Sequence, residues 1–158
     1  MLIDGVKKCV WLAGLLSAAV VPQAAYPASV TLAGTVVNLC VLTLSTPGTL
    51  GIAATGTEIS SQETGGIAAS LSVVATGANP TITFTAPGLS GPSASTTGAT
   101  TNLSYTSGGG ANQSYTGSGY VYSMNRLLDS ITVNGRATNS AGFVSGLYTI
   151  STTATCSQ

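Results

Sequence analysis

The chain has 158 residues, of which 44% are hydrophobic and 5% charged, and its formal net charge is zero. So apolar and so weakly charged a composition excludes a disordered chain, and the length suits one domain. There is no histidine, which excludes histidine-based triads and removes the most common metal ligand.

The first segment has three unlike parts. Met1 to Lys8 carries Lys7 and Lys8, Cys9 to Val21 is apolar, and Pro22 to Ser29 is rich in small residues. That order predicts a secretory signal peptide over residues 1–25, cleaved after Ala25 or Ala28, followed by a domain over 26–158. The apolar run is too short for a spanning helix, which needs about 20 residues. Cleavage would remove both lysines, Asp4, Cys9 and Trp11. What remains is Glu58, Glu63 and Asp129 against Arg126 and Arg136, a net charge of −1. No basic footprint is left for nucleic acid or anionic lipid, and no membrane insertion is expected after cleavage. The protein is expected in the periplasm, at the cell surface or outside the cell. Cys40 and Cys156 are then an even pair in an exported chain, so one intrachain disulfide is predicted.

In chain order, alternation with a period of two dominates. Val30, Leu32, Gly34, Val36, Cys40, Leu42 and Leu44 share one face, predicting a first strand that starts at Val30 and becomes covered on both faces. "TPGTL" reads as a turn around Pro47 and Gly48, and Leu50 to Thr55 as a short strand. Thr57 to Gly66 holds both glutamates and reads as an exposed loop. Ile67 to Thr76 alternates again. "PTITFTAP" sets Thr81, Thr83 and Thr85 opposite Ile82, Phe84 and Ala86, the pattern of a half-buried strand bounded by prolines.

Pro87 to Thr100 and Ser107 to Gly119 are rich in Gly, Ser and Thr and read as loops around a short strand at Leu103 and Tyr105. Tyr120 to Met124 and Ser130 to Val133 are further strands, with Arg126 and Asp129 as a surface pair between them. Asn134-Gly135 is a type I′ hairpin signal with Arg136 to Asn139 returning. In Gly142 to Cys156, residues Val144, Tyr148, Ile150, Ala154 and Cys156 share one face. Seven or eight short strands with such turns predict an all-β, antiparallel sandwich.

Chemistry is sparse. Glu58 and Glu63 in a polar loop read as solvated charges rather than a catalytic carboxylate pair, so neither an enzyme nor a cofactor is expected. Tyr105, Tyr115, Tyr120 and Tyr122 cluster around the Gly/Ser-rich segments as candidate binding loops for a glycan or a protein. The alternative is that Tyr120 and Tyr122 cover one face of a strand. The sequons at Asn102 and Asn112 matter only in a glycosylating host.

The β-pattern Val30, Leu32, Gly34, Val36, Val37, Asn38 and Cys40 resembles the N-terminal region of fimbrial subunits exported by the chaperone–usher route. The ending, "SGLYTISTTATC", is similar to the final strand of fimbrial and spore-coat-protein-U-like domains through Gly146, Tyr148 and Ile150. The resemblance implies an immunoglobulin-like sandwich and a structural, adhesive role at a bacterial surface. It also implies a periplasmic chaperone and other copies or related subunits as partners, with Val30, Leu32, Gly34 and Val36 as the strand donated to a neighbour. The chain departs from that family in its disulfide, which is usually closed within a few tens of residues. Cystine formation between first and last strands needs Cα atoms within about 7 Å, leaving no room there for an inserted strand. Donation is then expected only beyond the cysteine level, unless the sandwich is complete by itself. The alternative function is a monomeric secreted binding module that uses its tyrosine loops.

Overall fold

The computed structural model describes residues 31–35, 37–77 and 79–158, so the expected signal peptide, Val30 and Val36 lie outside the described residues. Twelve strands and one helical turn follow in order: β1 (Leu39–Thr46), β2 (Gly51–Ile52), β3 (Glu58–Ser60), β4 (Ala69–Thr76), β5 (Thr81–Phe84), β6 (Gly88–Ser90), α1 (Ser93–Thr96), β7 (Thr100–Ser107), β8 (Asn112–Thr116), β9 (Tyr120–Ser123), β10 (Leu128–Thr138), β11 (Thr149–Ser151) and β12 (Ala154–Ser157). All pairings are antiparallel. The architecture is the predicted all-β sandwich.

The first sheet is organised on β10. One edge of β10 pairs with β4 over Leu128–Val133 and with β3 over Arg136–Thr138, while its other edge pairs with β7. β1 extends this sheet beyond β4, β2 beyond β3, and β8 beyond β7. The second sheet runs β12–β5–β9, and β11 pairs with β6. β11 and β12 are a single path interrupted at Thr152 and Thr153, beside an interruption of β5 and β6 at Thr85–Pro87. Pro87 has no N–H to give to a ladder. Thr85 bridges the gap, its N–H donating to the Thr153 carbonyl (3.0 Å) and its hydroxyl accepting the Thr153 N–H (3.0 Å). Such interruptions explain why more strands appear than the seven or eight expected.

Alternation places the core. Val73 and Ala75 of β4, Ile82 and Phe84 of β5, Leu103 and Tyr105 of β7 and Ile131 of β10 all point between the sheets and are buried, with Met124 beside them. Each such aliphatic side chain contributes about 1.5–3 kcal/mol when fully removed from water.

Four sequence expectations are corrected. The first strand starts at Leu39, not Val30: Thr31–Thr35 form no strand and are exposed. The Thr76 hydroxyl donates to the Val37 carbonyl (2.6 Å) and accepts the Leu39 N–H (2.9 Å). β4 ends at Thr76, and Gly77 beyond it has a φ of +109°, so β4 offers no further ladder partner to the residues before Leu39. The Asn134-Gly135 hairpin does not form, because β10 runs straight through both residues. A type I′ turn needs positive φ at both positions, and neither has it. Their polar groups pair instead with Ser61, whose hydroxyl donates to Asn134 Oδ1 (3.0 Å) and accepts the Gly135 N–H (3.1 Å).

The three stretches read as loops also contain ordered pairing: β3 lies in 57–66, with Ile59, Ser60 and Ser61 buried, β6 and α1 in 87–100, and β8 in 107–119. Finally, Asp129 is buried rather than part of a surface pair with Arg126. Its carboxylate accepts from the N–H groups of Gly109 (3.0 Å) and Ser130 (2.9 Å) and from the Tyr122 hydroxyl (3.3 Å).

Candidate functional site: an apolar groove between the first and last strands

On β1 the residues facing inward are Cys40, Leu42 and Leu44, and their burial falls along the strand. Cys40 and Leu42 are half-buried, but Leu44 is 58% exposed. A leucine on the inner face of a sandwich strand is exposed only where the opposite wall is missing. The missing wall is a groove of 1060 Å³. One side is formed by Leu44 and the turn that follows it, the other by the chain from Phe143 to Ala154, and the floor by Leu71, Phe84, Leu103 and Val133.

Backbone pairing makes the groove receptive. Among the described residues β1 pairs with β4 alone, and β11 with β6 alone, so each has one edge without a ladder partner beside the groove. Unpaired edges of this kind are templates for another extended segment. The floor extends from Leu71, opposite Ile131, to Ile59, opposite Ala137. Six residue rises along β10 make that about 20 Å. A seven-residue strand has the same length.

One end is closed covalently. Cys40 and Cys156 form the predicted disulfide, with Cα atoms 6.0 Å apart, and the Gln158 side-chain amide donates to the Leu39 carbonyl (2.6 Å). No strand can pass between β1 and β12 at that level. The groove lies beyond it, where the sequence geometry left room for one.

The candidate donor residues are placed only in part. Leu32 is 92% exposed, and a Cβ built on Gly34 would meet nothing within 4 Å. Val30 and Val36 fall outside the described residues.

The tyrosines are mostly corrected. Tyr105 belongs to β7 and is completely buried, and Tyr122 of β9 is buried too, so neither ring can face a ligand. Phe84, Tyr105, Tyr120 and Tyr122 form a continuous stack with centroid separations of 4.4, 5.1 and 5.7 Å. This stack braces the second sheet against β7. The Tyr120 hydroxyl accepts the Asn112 N–H (3.0 Å). Tyr115 is half-buried, carries the Arg136 guanidinium over its ring at 4.2 Å, and donates its hydroxyl to Gln62 (2.9 Å). Burial raises the Tyr122 hydroxyl pKa above the ordinary tyrosine value, and the Asp129 carboxylate raises it further. Burial likewise raises that of Tyr105, with Thr152 opposing, although the contact with Thr152 does not reach hydrogen-bond geometry.

The groove itself was missed as a site because its walls come from residues 44–67 and 143–154. The signal available was parity: Leu44 continues the inward face of β1, with no sequence partner to cover it.

Among the described residues no group of three or more His, Cys, Asp or Glu side chains is placed to hold a metal, and no helix is long and apolar enough to cross a membrane. No family model matches the chain, and no curated protein or solved structure matches it.

Proposed function

We propose that this is an exported, non-catalytic structural subunit of a surface assembly, and that each copy fills its groove with the Val30–Val36 segment of another. One observation carries the reading: among the described residues the sandwich has an open apolar groove beside two strand edges, of β1 and β11, that lack a ladder partner. The occupant is argued from length and pattern. Val30–Val36 spans about 20 Å when extended, as the floor does. Val30, Leu32 and Val36 fall at alternate positions, and Gly34 lets backbone approach backbone closely. Leu32 itself is exposed, and exposed apolar segments mark interaction sites. Copies or related subunits are thus its partners, with a chaperone guarding the groove during export.

The test is uptake of a labelled peptide of residues 29–38 by dilute intact protein. We expect saturable binding, and loss of binding in Leu44→Asp without a fall in the thermal midpoint, since Leu44 is already exposed. Absence of binding by the parent, with a strict monomer at high concentration, would reject the proposal and favour the monomeric module; of its four candidate loop tyrosines, Tyr115 and Tyr120 are half-buried and Tyr105 and Tyr122 are buried.

A further inference from the structure

We infer that the two ends of the sandwich are complementary, so that strand donation between copies brings a second contact with it, between folded domains. The inference rests on the donation reading, and adds a contact between folded domains at the mouth of the groove.

The exposed apolar side chains are sorted by position. At the cystine end, Val41, Val74 and Leu128 stand side by side across β1, β4 and β10 on the outer face, all exposed, with Leu39 and Leu127 next to them. Arg126 is exposed at the same end, against Gly108. The next rows of that outer face are polar: Thr43, Ser72 and Ser130, then Ser70 and Thr132. Apolar exposure returns at the far end, about 30 Å away along the rise of β10, with Ile52, Ile67 and Leu147, which belong to the lining of the groove where it opens. Both glutamates lie there: Glu58 opposite Thr138, and Glu63 with its carbonyl against Gly51. Scattered surface leucines are ordinary. Two apolar ends separated by hydroxyl rows are a pattern: Arg126 is the exposed charge at one, beside the buried Asp129, and Glu58 and Glu63 lie at the other, where Arg136 is held over the Tyr115 ring.

The tether dictates which ends meet. Only Val37 and Asn38 separate Val36 from Leu39, a span of about 10 Å, and Val37 is held by the Thr76 hydroxyl. A donating domain therefore follows its own segment closely, cystine end first. The receiving groove is shut at its own cystine, so the tether leaves only at the far end. The inserted strand then runs parallel to β1 and antiparallel to β11 and β12. Arg126 of the donor arrives beside Glu58 and Glu63 of the receiver, and Leu128 and Val74 beside Ile67 and Leu147. Contact between unlike ends of identical chains is heterologous, so it repeats without closing.

Intact protein is followed by light scattering and sedimentation at low salt, with uptake of the 29–38 peptide measured separately at high dilution. Arg126→Glu and Glu63→Arg should each slow assembly about three- to tenfold, as charge reversals at an interface rim do, and the double variant should recover the parent rate. Leu128→Ser should slow assembly with its thermal midpoint unchanged, and Arg126→Gln should show an intermediate effect. All these variants should take up peptide like the parent. If the reversals assemble at the parent rate while peptide still binds, the end-to-end contact is wrong and the groove reading stands. If the parent neither binds peptide nor assembles, both fall together.

Discussion

The Asp129 carboxylate is held from three sides, by two backbone N–H groups and the Tyr122 hydroxyl. A Cβ at Gly109 would collide with that carboxylate, so Gly109→Ala should cost about 2 kcal/mol as the bonds are forced apart; urea unfolding measures it. The same cluster sets an alkaline limit. The folded pKa of Tyr122 is raised above its unfolded value near 10 by burial and then by the Asp129 charge. A raised tyrosine pKa means that the fold holds the neutral phenol. Its contribution is complete below pH 10 and is lost as pH rises beyond it. The urea midpoint should therefore be flat from pH 7 to 9 and fall above 10, and Tyr122→Phe should fall less steeply. Tyr105 behaves in the same direction, but its hydroxyl is buried without a hydrogen-bond partner among the described residues. Tyr105→Phe should keep the aromatic stack and be neutral or stabilising by about 1 kcal/mol.

Among elements, β10 is the organiser, since β4, β3 and β7 all pair with it. Its passage through Asn134-Gly135 depends on Ser61, which is nearly buried and serves both residues. Ser61→Ala should leave the Gly135 N–H without that acceptor and cost about 1–2 kcal/mol, read as a shift of the denaturation midpoint at unchanged slope. This element also shows where sequence reading ends. The apolar alternation of Ile131 and Val133 was legible because period two is a local property. The Asn-Gly pair was misread because a turn preference is worth little against two flanking strands and a serine brought from 73 residues away. β8 was illegible for a related reason: Asn112–Thr116 has no apolar alternation and is a strand only because β7 offers it an edge. β8 in turn makes a poor edge for further pairing, being short and polar, with a register shift between Leu103 and Tyr105 where it meets β7. Such features blunt lateral aggregation, so the groove is the receptive edge.

For the molecule as a whole, the sandwich and its cystine were readable from parity and an even cysteine count, whereas the groove depends on which wall the chain fails to supply. The disulfide closes 116 residues of sequence, worth about 4–5 kcal/mol on the chain-entropy account. A Cys40→Ser, Cys156→Ser double variant should lose up to that much in chemical denaturation. Trypsin should find only Arg126 beyond the predicted signal peptide, because Arg136 lies inside β10 with strands on both sides; one nick near Arg126 is expected by mass spectrometry, and digestion throughout would indicate a loose fold. The cystine has one more consequence, which is mechanical. In a string of copies of the kind proposed, pull arriving through residues 37 and 38 would reach Cys40 within two residues and cross a covalent bond to Cys156 on β12, which continues the path of β11 along the groove wall. The load path would thus meet the hydrophobic interior only where the half-buried cystine packs against it. Under tension the domains should stay folded while the inserted strands slip, and reduction should reroute the force through the β1–β4 ladder, so that single-molecule traces acquire long unfolding extensions which the oxidised string lacks.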